Sequence, residues 1–305
     1  MKRLLLCILA TAFVASCGNK GPEQQPGESN DPSTETEQGL KPWDDGQPVF
    51  SATKGMKGYI AFKQDGVQRK AFLKVIDGAE IKVDADGYIT RVGDYIFKDG
   101  KYVYEETEAE FLSISLNDKG LVHEITEEEM FLTDLGEEKI SEQSTFTYDS
   151  DNHLTSVKSV KKTTSKILNA TYEETCTLAW EGGLVKELTI KATDTVNESG
   201  MDPKVSEFGA KRTYKYDEYL NPLSLMPLAL VKNIFLNEMV LCSVLAQSGA
   251  FGVAPYKFPA SSSFIMDGSK TPSDTDYYIE YDEIVGAIPV VENGCEKEYT
   301  FPSAE

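Results

Sequence analysis

From residue 81 onward apolar and polar positions alternate in blocks that repeat along the chain. Ile81-x-Val83-Asp84-x-x-Gly87-x-Ile89-x-x-Val92, Ile114-x-Leu116-Asn117-x-x-Gly120-x-Val122-x-x-Ile125 and Phe146-x-Tyr148-Asp149-x-x-Asn152-x-Leu154-x-x-Val157 match position for position. Leu178-x-Trp180-Glu181-x-Gly183-x-Val185-x-x-Leu188 is one residue shorter. Tyr214-x-Tyr216-Asp217 leading to Asn221, and Ile279-x-Tyr281-Asp282 leading to Gly286, are each one residue longer before the Gly or Asn. The starts at 81, 114, 146, 178, 214 and 279 are 32 to 36 residues apart, except for a last gap of 65, close to two units. Alternating apolar side chains describe a half-buried strand, Asp or Asn closes a turn through its side chain, and Gly or Asn supplies the positive φ. Asp84, Gly87, Asn117, Gly120, Asp149, Asn152, Asp217, Asn221, Asp282 and Gly286 are therefore read as structural turn residues. The pattern predicts a mainly β fold: a large twisted or curved antiparallel meander of repeated hairpins.

Where one unit is missing, Pro227 opens the apolar run LALVKNIFLNEMVLCSVLAQSG, which ends at Gly249. Proline at the start and glycine after the end are helix boundary signals, so a helix is predicted over about 228–247. Val231, Ile234, Phe235, Leu241, Cys242 and Leu245 fall on one arc of it, which places the helix against the sheet. Lys232, Asn233, Asn237 and Glu238 interrupt the run and argue against a membrane span, since each charge would cost roughly 3 kcal/mol at mid-bilayer.

The N-terminus reads differently. Lys2 and Arg3 precede the apolar stretch Leu4 to Val14, too short to cross a bilayer comfortably. Val14-Ala15-Ser16-Cys17 then resembles a bacterial lipobox, which implies that residues 1–17 are a lipoprotein signal peptide and that Cys17 is lipidated. Residues 18–48 are predicted to form a disordered tether; 18–39 hold no aliphatic or aromatic side chain and would span on the order of 25 Å as a coil. A single β-rich repeat domain is expected over 49–305.

Charge narrows the possible partners. With 50 acidic and 30 basic residues the chain carries −20, and −22 without Lys2 and Arg3. Such a field repels phosphate backbones, so nucleic acid is not an expected partner. Beyond Cys17 only Cys176, Cys242 and Cys295 remain, too few for a disulfide framework, with one bridge at most.

Candidate chemistry is sparse. Asp149, Asp151 and Asn152 look like the opening of a calcium loop, yet the fifth position is His153, the sixth Leu154 and the twelfth Val160, so the ligand pattern fails and no metal site is expected. His123 and His153, the only histidines, sit past hairpin turns without a second ligand at metal spacing. Glu238, within the apolar run, is the one sharp acid–base candidate; a break of the helix at Asn237 that lets it reach water is the simpler reading. No catalytic residue and no cofactor is assigned.

The Y-x-Y-D-x-x-G/N-x-L pattern resembles the YD-type hairpin repeat. Together with the lipobox, the Tyr216-to-Pro222 turn YDEYLNP and the apolar segment after it, it is similar to the Bacteroidetes-type cell-envelope lipoproteins of unknown function. The resemblance covers about residues 55 to 305, and Glu181, the short turn at Gly182-Gly183 and the longer turns at Asn221 and Gly286 depart from it. It implies a protein held at the cell outer membrane by its N-terminal lipid. The expected function is non-enzymatic binding of a glycan or a basic protein partner; the alternative is an envelope glycoside hydrolase that uses paired carboxylates.

Overall fold

A computed structural model describes residues 40–133, 136–231, 239–282, 288–292 and 295–301. The chain forms, in order, β1 (Lys41–Pro42), β2 (Phe50–Ser51), β3 (Gly55–Met56), β4 (Tyr59–Gln64), β5 (Val67–Ile76), β6 (Ala79–Val83), β7 (Ile89–Val92), β8 (Tyr95–Lys98), β9 (Lys101–Tyr104) and β10 (Phe111–Leu116). The long strands follow: β11 (Val122–Thr133), β12 (Gly136–Tyr148), β13 (Leu154–Ser165), β14 (Leu168–Glu181), β15 (Leu184–Glu198) and β16 (Lys204–Leu220). Next come α1 (Leu228–Val231), α2 (Met239–Gln247), β17 (Lys257–Met266), β18 (Ser273–Asp276), β19 (Ile279–Tyr281), β20 (Pro289–Glu292) and β21 (Cys295–Thr300). Among the described residues nineteen strands share one antiparallel sheet, and β2 pairs with β3 apart from it. From β4 to β18 the sheet is a meander in which each strand pairs with its predecessor. β21 returns to pair with β5, but the sheet is not closed: the β17–β18 ladder ends at Asp276, and pairing resumes as β19 with β20.

The repeat has one backbone design. In each unit the ladder shifts register at the residue before the motif Asp, Asn or Glu: between Lys82 and Val83, Ser115 and Leu116, Thr147 and Tyr148, Ala179 and Trp180, Lys215 and Tyr216, and Glu280 and Tyr281. Such bulges add local twist and remove a carbonyl from the ladder. The next unit supplies its donor. Tyr148 Oη donates to Val122 O at 2.8 Å, Trp180 Nε1 to Leu154 O at 2.8 Å and Tyr216 Oη to Val185 O at 2.7 Å. Where unit two has Leu116 at that position, Tyr102 of β9 takes over and donates to Ile89 O at 2.9 Å. The motif aromatics are thus hydrogen-bonding links between neighbours as well as apolar surface, a role signalled in the sequence by Tyr and Trp rather than Phe.

The core lies on one face of this sheet and on the segment inserted between β16 and β17. Leu228, Leu230, Leu241, Val244, Leu245 and Ala246 are all buried. Ser243 and Gln247 are buried too, so α2 packs against the sheet and its surroundings by more than the one apolar arc. Gly249, at φ +77°, ends α2 while the Ala250 N–H donates back to Leu245 O at 3.2 Å. The chain that follows docks on the motif turns: the Val122 N–H donates to Ala250 O, the Val253 N–H donates to Asn152 O, and the Phe251 ring stacks on Phe146 at 5.4 Å. Residues 232–238, with Glu238 among them, lie outside the described residues.

The N-terminal boundary is a correction. Leu40 is buried, β1 pairs with β4, and the Asp45 carboxylate is paired with Lys57 at 3.1 Å and Lys70 at 3.5 Å and accepts the Tyr59 hydroxyl. Residues 40–48 belong to the fold and not to a tether. Their Pro and Gly content reads as linker, but the strand that β1 pairs with and the partners of Asp45 lie too far along the chain to be seen locally.

β11 to β16 outrun the core. β11 is buried at Val122, Ile125 and Glu127 and exposed from Met130 to Thr133; β16 is exposed over its first five residues. The face turned from the core carries Glu124, Thr145, Lys158, Thr175 and Lys191 in one cross-strand row. A strand crossing a bilayer needs an apolar outer face over about ten residues. These strands do not present one.

Candidate functional site

The predicted turn residues fall into three groups. In three units the turn geometry is the same. Asp84 Oδ1 accepts the N–H of Asp86 and of Tyr88, Asn117 Oδ1 those of Lys119 and Leu121, and Asp149 Oδ1 those of Asp151 and His153, all at 2.9 to 3.0 Å. Gly87, Gly120 and Asn152 occupy the left-handed position at φ +87°, +77° and +68°. Asp149 Oδ2 also meets His153 Nδ1 at 3.1 Å, and that ring packs on Trp180 at 4.4 Å. Backbone N–H groups and the His153 ring hold this carboxylate, as a turn requires. Asp149→Ala should lower stability by roughly 1 kcal/mol in urea unfolding, with no dependence on calcium.

The second group departs from the prediction. Asp217 lies inside β16, which runs on to Leu220, so it closes no hairpin. Asn221 is buried at the entry to the inserted segment, where its side chain donates to Leu225 O and Pro255 O at 2.7 Å and accepts the Leu225 N–H at 3.0 Å. The extra residue in this unit reflects a strand continued by a wide excursion rather than a tight turn. Asp282 does not depart in this way: it stands at the turn between β19 and β20, and its N–H donates to Ile288 O at 2.8 Å as the N–H of Asp84, Asn117 and Asp149 do across their turns. Gly286 is the third group, outside the described residues, as is the predicted lipidation site Cys17.

The unforeseen feature is an acidic belt on the core-bearing face, just beyond the apolar rows. Glu127 of β11 stands opposite Glu142 of β12, which stands opposite Lys161 of β13, then Tyr172 of β14 and Asp194 of β15. The adjoining row holds Ser144, Ser159 and Glu174, and the Ser144 and Ser159 hydroxyls are 2.7 Å apart. Glu127, Glu142 and Glu174 are buried, and Glu174 accepts from Tyr172 Oη at 2.7 Å and Cys176 Sγ at 3.4 Å. Burial raises the Glu142 carboxyl above its ordinary value of 4.5, the Lys161 charge opposes this, and Glu174 and Glu129 add to it. Burial raises Glu174 and Asp194 as well. It also pushes the Cys176 thiol up, which makes that sulfur a poor nucleophile. The alternation around these acids was visible in the sequence, but a Glu at an inward strand position looks the same as one on a solvated face.

Carboxyls raised in the fold are better protonated there than in the unfolded chain, so stability falls as pH rises from the ordinary 4.5 through the raised values. Glu142→Gln/Glu174→Gln should remove that component. Relative to the parent, the double variant's stability should climb between pH 4 and pH 7 and stay level at lower pH; each 1 kcal/mol recovered would read as about 2–4 °C in melting temperature.

A small cavity of about 10 Å³, the room of a single water, lies apart from the belt, lined by Lys57, Gly58, Tyr59, Ile60, Leu73, Val244, Gln247, Ser248 and Tyr299. It has no carboxylate in its wall and is smaller than the roughly 300–1,000 Å³ usual for a small-molecule site. Cys176, Cys242 and Cys295 are buried and not joined in disulfides. Among the described residues no group of three or more His, Cys, Asp or Glu side chains is placed to hold a metal ion.

No protein-family model matches the chain, and no curated protein matches it. Among solved structures, a porin-like protein from Bacteroides vulgatus ATCC 8482 is similar over 76% of this chain and 98% of its own, with 11% identity and a TM-score of 0.43. A porin-like protein from Bacteroides uniformis ATCC 8492 is similar over 68% of this chain and 93% of its own, with 13% identity and a TM-score of 0.24. At these values neither likeness bears on function.

Proposed function

We propose that this chain is a lipid-anchored, non-enzymatic module of the bacterial outer membrane that holds a cationic protein segment on the projecting end of its sheet. The observation that carries this reading is the charge of the β11–β12 hairpin. Between Val122 and Tyr148 eight acidic residues stand against one base, Lys139, which is itself paired with Glu128 at 2.7 Å. The distal part of this hairpin reaches beyond the core, and Met130, Phe131 and Leu132 are exposed within it. Acids beside exposed apolar side chains suit a partner that is both basic and apolar; a neutral glycan would make no use of the charge. Against the hydrolase alternative, the cross-strand pair Glu127 and Glu142 is buried, and neither lines the cavity.

The reading has two parts, tested separately. Cys17→Ala should move the protein from the membrane to the soluble fraction, and unchanged partition would remove the lipid anchor from the reading. A lysine-rich peptide should bind the lipid-free protein and weaken by about tenfold or more from about 0.05 M to about 0.5 M salt, whereas a neutral glucan should not bind. Salt-independent binding of the glucan, with no binding of the peptide, would replace the cationic partner by a sugar.

A further inference from the structure

We infer that the cationic partner is taken up as an added β-strand along the edge of β11 at Glu129 to Leu132. This rests on the proposed function and specifies how the partner is held. The ladder between β10 and β11 ends where Phe111 faces Glu128, while β12 continues to pair with β11 out to Thr133 opposite Gly136. From Glu129 to Leu132, β12 is therefore the only strand partner among the described residues, and half of the main-chain N–H and C=O groups there point away from it. Met130, Phe131 and Leu132 are 47%, 45% and 86% exposed.

Exposed edges in folded proteins are ordinarily blunted by Lys, Pro or a bulge. The corresponding edge at the start of β16 has Pro203 and Lys204, and the one at β18 follows Pro272 and carries Asp274 and Asp276. The β11 edge has no Lys, Pro or bulge, Glu129 is the one charge from 129 to 132, and its ladder with β12 runs without a register shift. It is a regular, apolar, unguarded template, the surface on which an extended segment can add a strand.

Charge decides which occupant fits. A second copy would bring its own Glu127, Glu128 and Glu129 against those of the first, and like charges facing across strands are unfavourable. A segment with alternating basic and apolar residues meets no such penalty. Along the edge, Met130 and Leu132 share the face turned from the core, and Glu129 and Phe131 share the other. An added strand can thus set apolar side chains beside Met130 and Leu132 and a basic one beside Glu129.

The test uses a peptide of about ten residues alternating lysine and valine, and a second peptide of the same sequence with every amide N-methylated, which keeps its charge but has no N–H to donate from either strand edge. The unmodified peptide should bind at least about tenfold tighter, and it should slow hydrogen exchange of the amides at 129–132 by about tenfold while leaving 204–208 unchanged. Equal affinity of the two peptides, or protection at another edge, would overturn strand addition here and leave the cationic reading intact. No binding by either peptide would defeat both. Dimers in light scattering, with 129–132 already protected in the absence of peptide, would give the edge to a second copy and overturn the inference.

Discussion

Replacing Lys297 by alanine should destabilise the fold by about 3–5 kcal/mol, the largest single loss expected among the polar residues. Lys297 Nζ lies 2.9 Å from Glu292 Oε2, and the two side chains are 0% and 1% exposed. The ammonium also reaches Gln247 Oε1 at 3.3 Å, which accepts from Tyr299 Oη at 3.3 Å, and Glu292 Oε1 accepts the Leu228 N–H. One network thereby ties together the start of α1, the end of α2 and the β20–β21 hairpin, and its carboxylate is buried. Removing the ammonium strands that carboxylate. The cost is a desolvated charge without its partner, not the net worth of the pair, so Glu292→Leu/Lys297→Met should recover most of the loss. Urea unfolding of the single and double variants checks this. A Lys297→Ala loss below about 1 kcal/mol would mean that solvent reaches the pair.

How much of this was legible in the sequence can be judged from the same hairpin. The run Cys295-Glu296-Lys297-Glu298-Tyr299 alternates, and Cys295, Lys297 and Tyr299 do share a face. The alternation places Lys297 beside two residues that face the core, but its ion partner comes from β20 and its second acceptor from α2, contacts that local pattern cannot contain. The same division runs through the molecule. Turn geometry at Asp84, Asn117 and Asp149 is decided within five residues, and it repeats as the motif repeats. The acidic belt is decided by which half of each long strand the inserted segment covers. Strands such as β13 and β14 alternate polar and small residues to their far ends, and nothing local tells the covered half from the projecting one. Asp217 misled for a related reason: its Tyr-x-Tyr-Asp run matches the motif, but the strand continues because the return path is a helical excursion and not a turn.

Gly87 and Gly120 occupy the same motif position and should respond oppositely to the same substitution. Gly120→Asn should stay within about 0.5 kcal/mol of the parent, while Gly87→Asn should cost on the order of 3 kcal/mol. Backbone conformation does not separate them, since both are left-handed and Asn152 already occupies the equivalent position at φ +68°. Packing does. A Cβ at Gly120 would meet nothing within 4 Å, whereas at Gly87 it would lie 2.7 Å from Cδ1 and Cε1 of Tyr59 and 3.0 Å from Cε1 of Phe72. Tyr59 cannot swing away at low cost: it is 2% exposed, its hydroxyl is bound to Asp45, and its ring packs on Phe72 at 5.2 Å. Displacing it would disturb the partner that holds Asp45, Lys57 and Lys70 together, and with them the entry of residues 40–48 into the fold. Urea midpoints of the two variants, each with the parent's unfolding slope, should therefore diverge. Equal losses would show that the left-handed backbone, and not the Tyr59 ring, sets the requirement for glycine at position 87.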